Sequence, residues 1–248
     1  MASPTGYRYS QGKRDIGEAA NFSWEYPVPA NEFWNTLGFV TGRNFLQCFS
    51  ADEIARLPLD STLSKSGKLE LLLKLLREKL SSQDAAAAPQ TLYDVNYEAW
   101  DKLLLGIYTM QGQLGQSADA EKTIRMLVDR RKDKTNLSHL HNLSGLLDEQ
   151  GKYAEAEETE KPVKLWLDER LGKDSPQALG SRRIIARAIW KQGPSRRAEA
   201  KELFSEVMDL IGGMGGGQFA VYQAEQREIT EKMVAELEKE DGPERTSI

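Results

Sequence analysis

A chain of 248 residues, 40% hydrophobic and 29% charged, has the material for one long domain or two small ones and for a proper core. Its net charge of −5 argues against a nucleic-acid binder driven by phosphate contacts, and the excess acid sits in residues 218–248, with four basic against eight acidic side chains. Cys48 is the single cysteine, which excludes an intramolecular disulfide and a thiolate metal cluster. No apolar run approaches the roughly 18–20 residues that span a bilayer, and the N-terminus carries no apolar signal segment, so no membrane association is expected. A cytoplasmic location follows as the default, with the nucleus left open.

Residues 1–60 read as an aromatic-rich arm with short helices. Phe22, Trp24, Tyr26, Phe33, Trp34, Phe39, Phe45 and Phe49 are eight of the chain's twenty aromatic residues, and so many rings are expected to pack onto the rest of the protein. Ser50 with Glu53 is a capping-box pair opening a short helix that Pro58 closes. In residues 61–92, Leu69, Leu72, Leu73, Leu76 and Leu80 form the single apolar stripe of an amphipathic helix, followed by a linker or frayed end at 81–90. From 93 to 240 the pattern alternates helices with short breaks: 93–111, 117–132, 137–150, 153–171, 175–192, 195–211 and 218–240, ahead of a polar tail at 241–248. Strand signals are almost absent, so the predicted class is all-α. Pro162 falls inside one helix, where it removes a hydrogen bond and is expected to kink the axis and interrupt the helix.

Those breaks repeat. Gln150-Gly151 and Gln192-Gly193 stand 42 residues apart, as do Ala156-Glu157 and Ala198-Glu199, and Gln111-Gly112 with Ala120-Glu121 offers a third copy with a longer turn. A glycine ending the first helix supplies a left-handed cap, a small alanine lets the second helix approach, and Tyr108, Leu147 and Ile189 are placed to fill the space between hairpins. Residues 218–240 would cover the last hairpin through Phe219, Tyr222, Ile229, Met233 and Leu237.

The stretch 142–179 resembles a tetratricopeptide repeat of the kinesin-light-chain type. Asn142-Leu143, Gln150 to Tyr153, Glu155 to Glu157, Leu171-Gly172 and Pro176 match that family's unit in register, and the resemblance covers about 100–211. It implies a right-handed α-solenoid of three such hairpins with an N-terminal helical region and a C-terminal capping helix. It also implies a non-catalytic adaptor or scaffold that holds a peptide or protein segment in a concave groove, without a cofactor. In the family, paired asparagines on each first helix face that groove. Here the positions are Lys102-Leu103, His141-Asn142 and Arg183-Ile184, so the expected row is Lys102, His141, Asn142, Arg183 and, one turn on, Arg187. Such a row suits an acidic or carboxylate-bearing segment; the same residues also read as ordinary solvated helix positions.

Two other classes stay open. A helical enzyme or small-molecule-binding protein would use a pocket between the arm and the groove, lined by Trp24, Trp34, Trp100 or Tyr108, and an assembly surface would make a homodimer. The arm itself either pads the first hairpin or, through "FSWEYPVPANEFW", lies along the groove and occupies it. No catalytic or metal site is expected. His139 and His141, the only histidines, point about 200° apart on a helix. "IGGMGGGQF" (211–219) has phosphate-loop glycine spacing, but Gln218 and Phe219 stand where Lys and Ser or Thr are required, so it reads as a joint before the last helix.

Overall fold

Among residues 32–37, 39–59 and 62–240, which this computed structural model describes, every regular element is a helix. They fall into two units divided between Arg130 and Arg131.

The first unit holds α1 (Glu32–Asn35), α2 (Phe39–Leu46), α3 (Ala51–Ala55), α4 (Lys65–Ala87), α5 (Leu92–Val95), α6 (Tyr97–Gln113) and α7 (Ser117–Arg130). The Ser50–Glu53 capping box forms as expected, Ser50 N–H donating to Glu53 Oε2 at 2.6 Å and Glu53 N–H to Ser50 Oγ at 3.3 Å. Both α2 and α4 pack on α6, and Leu69, Leu72, Leu73 and Leu76 of α4 are buried. That approach demands a small residue on α6: a Cβ at Gly106 would stand 2.9 Å from the Asn44 carbonyl oxygen and 3.1 Å from a Leu76 methyl.

Two boundaries differ from expectation. The segment 81–90 is no linker, since α4 stays helical through Ala87; its alanines are strong helix formers. The helix expected at 93–111 is interrupted at Asn96, whose side chain accepts from Ala99 N–H at 3.1 Å and caps α6, leaving α5 as a separate turn capped by Thr91 and Asp94.

The second unit holds α8 (Ser138–Glu149), α9 (Tyr153–Leu171), α10 (Pro176–Lys191), α11 (Arg197–Gly213) and α12 (Gln223–Glu240), with single 3-10 turns at Pro194–Arg196, Met214–Gly216 and Ala220–Tyr222. Consecutive helices pack together from α8 to α12, and α10 also touches both α8 and α12. Pro162 is accommodated within an unbroken α9.

The turns carry the same closure twice, at Gly151 as expected and at Gly115 rather than Gly112. Gly115 (φ 70°) and Gly151 (φ 75°) are left-handed. Gln116 N–H donates to Gln111 O, and Lys152 N–H to Leu147 O, each at 2.9 Å, so both helices end in a Schellman motif. Gly112 lies inside α6, and the equivalent of Gly151 is Gly115. Ala120 and Ala156 each follow their capping glycine by five residues and are fully buried. With this register Leu147 corresponds to Gln111 rather than to half-buried Tyr108, and buried Gln111 accepts from Thr123 Oγ1 at 2.8 Å.

The third turn breaks the pattern for a chemical reason. Pro194 occupies the position whose N–H would close the Schellman motif and has none to give. Gly193 moves to φ 123° and a 3-10 turn intervenes. The buried alanine is then Ala200, and Ala198 is exposed.

Candidate functional site

The cationic row expected from the sequence divides between the units. Lys102 belongs to the first, on α6, where its Nζ lies 2.5 Å from Glu98 Oε1. It borders a cleft of about 270 Å³ together with Gln47, Cys48, Gln83, Asn96 and Leu103. Cys48 donates its thiol proton to the carbonyl oxygens of Asn44 and Lys102, each at 3.3 Å, and burial pushes its pKa from 9.0 up to about 12. A thiol so held is a poor nucleophile.

His141, Asn142, Arg183 and Arg187 belong to the second unit. The side chain of His141 is 32% exposed, with Nδ1 2.7 Å from Oε1 of fully buried Glu160 on α9. The carboxylate accepts a hydrogen bond from Nδ1–H, which fixes the orientation of the ring. Ser144 Oγ donates to the other oxygen of Glu160 and also lies 2.9 Å from His141 O. The serine proton therefore goes to the carboxylate rather than the imidazole, which is not the order of a nucleophile–base–acid triad. The three side chains join α8 to α9. Asn142, beside them, is half-buried.

Arg187 reaches back from α10 to α8, its Nη1 2.7 Å from Oδ2 of buried Asp148. Arg183 does not stand in an open groove. It is 7% exposed beneath α12, where its guanidinium donates to Gln226 Oε1 at 2.9 Å and to Thr230 Oγ1 at 3.3 Å. This also corrects the inner stripe of α12. Gln226, Thr230, Met233 and Leu237 face inward while Ile229 is 38% exposed, because the buried guanidinium requires oxygen acceptors opposite it.

Further ion pairs fix the neighbouring helices. Arg182, fully buried, donates to both oxygens of Asp168 at 2.7 and 2.9 Å and through Nε to Glu206 at 2.9 Å. Burial would lower its pKa, but the two carboxylates raise it on balance. Glu157 accepts from Arg196, Gln192 and Lys161. Burial raises its carboxyl, yet those hydrogen bonds outweigh burial and bring it from 4.5 down to about 2.

Of the aromatic residues proposed for a pocket, Trp24 lies outside the described residues, as does most of the arm's "FSWEYPVPANEFW". Trp34 is fully buried against Phe33 and Phe45, with ring centroids 5.5 and 5.8 Å away. Trp100 is buried against Tyr93 and Tyr97 at 5.0 and 5.9 Å, with the Arg130 guanidinium also near its ring. These rings are spent on packing.

Sequence reasoning missed Glu160, Gln226 and the acidic cleft of about 630 Å³ lined by Asp174, Glu202, Glu206, Asp209 and Leu210. Glu160 had a readable signal. It continues the stripe Ala156, Glu160, Val163, Leu167 on α9, all buried, and a carboxylate at a core position implies a partner. Among the described residues no group of histidine, cysteine and carboxylate side chains could hold a metal ion, and no helix is long and apolar enough to cross a membrane.

No family model, no curated protein and no solved structure matches this chain.

Proposed function

We propose that the chain is a non-catalytic adaptor built from three tetratricopeptide-like hairpins, α6–α7, α8–α9 and α10–α11, with α12 as the cap, stacked as an α-solenoid that holds a protein segment. The observation that carries this reading is the repeated closure. A left-handed glycine at Gly115 and Gly151, the same backbone hydrogen bond across it and a fully buried alanine five residues on recur in two successive hairpins. Hairpins of this kind cannot bury their apolar faces alone and stack for stability. The packing of α10 against both α8 and α12 supports the same arrangement in the second unit.

The residues best placed to meet a ligand in that unit are His141, Asn142 and Arg187. The imidazole and the guanidinium are each about one-third exposed and each already oriented by a buried carboxylate. Orientation of this sort reduces the entropy lost when a ligand carboxylate or amide is bound. Arg183 leaves the row because α12 covers it, and Lys102 would act separately in the first unit.

The test is affinity capture from the native cell, comparing wild type with a chain carrying Asn142→Ala and Arg187→Gln, both checked for unchanged helicity. At least a tenfold drop in the partners retained by wild type is expected. An identical partner set at unchanged yield refutes the assignment.

A further inference from the structure

The last turn of α11 and the segment joining it to α12 hold five glycines that the folded conformation does not require. Gly212, Gly213, Gly215, Gly216 and Gly217 all have ordinary backbone angles, none in the left-handed region. A Cβ at Gly212, Gly213 or Gly216 would meet nothing within 4 Å. At Gly215 and Gly217 the nearest neighbours would be 3.6 Å away, an ordinary contact. Glycine loses the most conformational freedom on folding, so two at the end of α11 and three in the joint weaken this region without any steric return. The ordered connection to α12 is therefore held less firmly than one of other residues would be.

What α12 covers is a built surface. On one side it seals the apolar face of Ile185, Ile189, Trp190 and Phe204 with Met233, Val234 and Leu237. On the other it covers Arg183, a buried cation whose hydrogen-bond partners, Gln226 and Thr230, are both neutral. No carboxylate lies within ion-pair distance of it among the described residues; Glu225 of α12 acts on it only at longer range. Arg182, one residue earlier and fully buried, has two carboxylates. Buried charges are ordinarily paired, and burial lowers the Arg183 guanidinium to about 10.

We propose that the α10–α11 face under α12 is a second docking site, whose occupant is an amphipathic helix of a partner protein carrying a carboxylate opposite Arg183. The apolar strip selects an amphipathic helix, and the uncompensated cation selects its charge. A second copy's α12 fits the charge less well, since it brings the same neutral Gln226. The site needs no ligand at His141, Asn142 or Arg187, so it stands or falls apart from the function proposed above.

The test uses the full chain and two fluorescein-labelled peptides of residues 218–240, one of native sequence and one with Gln226→Glu, read by fluorescence anisotropy. Each peptide competes with the tethered α12, whose effective concentration is on the order of millimolar, so the native peptide binds weakly. A charge-assisted hydrogen bond to Arg183 should strengthen the Gln226→Glu peptide about ten- to hundredfold. Arg183→Gln in the chain should abolish that difference. Gly212→Ala, Gly213→Ala and Gly216→Ala together should weaken both peptides at least fivefold while leaving helicity unchanged. Equal affinity of the two peptides for wild type would favour exchange of α12 between copies and overturn the proposal. So would absence of binding by either, or binding unaffected by the three alanines. The wild-type comparison stands even if the Arg183→Gln chain does not fold.

Discussion

Asp148 offers a direct measure of how α8 is joined to α10. Its carboxylate is buried near the C-terminal end of α8, where the helix dipole already disfavours an anion. Oδ2 pairs with Arg187, while Oδ1 is buried with no hydrogen-bond donor among the described residues. Burial pushes the pKa from 3.8 up to about 6, and the attraction of Arg187 opposes this only in part. A folded state that holds this proton more tightly than the unfolded chain is favoured by acid. The contribution is fully present below pH 3.8 and is lost as the pH rises through about 6. A rise of roughly two units at about 1.36 kcal/mol each leaves about 3 kcal/mol of destabilisation at pH 7. Asp148→Asn keeps the shape and removes the charge, and Arg187, one-third exposed, can be rehydrated. The variant should therefore exceed wild type by about 2–3 kcal/mol at pH 7, a gain that falls below about 1 kcal/mol at pH 4. Urea denaturation followed by circular dichroism from pH 4 to pH 7 measures both numbers. An asparagine variant no more stable than wild type at pH 7, or one with the same gain at pH 4, would refute the reasoning.

Four other outcomes are expected. Glu157 has the opposite sign: its stabilisation is present above pH 4.5 and is lost as the pH falls towards about 2, so Glu157→Gln should cost about 3 kcal/mol at pH 7 in urea denaturation and progressively less on acidification. Gly106→Ala gains about 1 kcal/mol of helix propensity but drives a Cβ against the Asn44 carbonyl, an overpacking of about 2–3 kcal/mol, and should destabilise by about 1–2 kcal/mol. Gly145→Ala, where a Cβ meets nothing within 4 Å, should stabilise by up to about 1 kcal/mol, both glycine variants being read by urea denaturation. With its pKa at about 12 against 9.0, Cys48 holds about a thousandfold less thiolate, so thiol labelling at pH 8 should be correspondingly slower in the native chain than in guanidinium.

The sequence by itself determined that the chain is helical and most of the helix bounds, because those signals act within a turn or two of chain. The first four leucines of the α4 stripe, the Ser50–Glu53 capping box and the bounds of α9 are all local, and each stands as read. Where a local reading went astray, a competing local group won: Asn96 capped α6, and Pro194 withheld an N–H from the Gly193 turn.

The tertiary structure alone decided what the polar residues do. Arg183 occupies a position that on an isolated α10 reads as groove-facing, but Gln226 and Thr230, more than forty residues later, cover it. His141 meets Glu160 from the next helix, and Gly115 rather than Gly112 takes the left-handed turn that sets the register of α6 against α7. Desolvation is the common reason. A side chain's chemistry depends on which distant surface removes water from it, and residues three or four positions away cannot specify that surface.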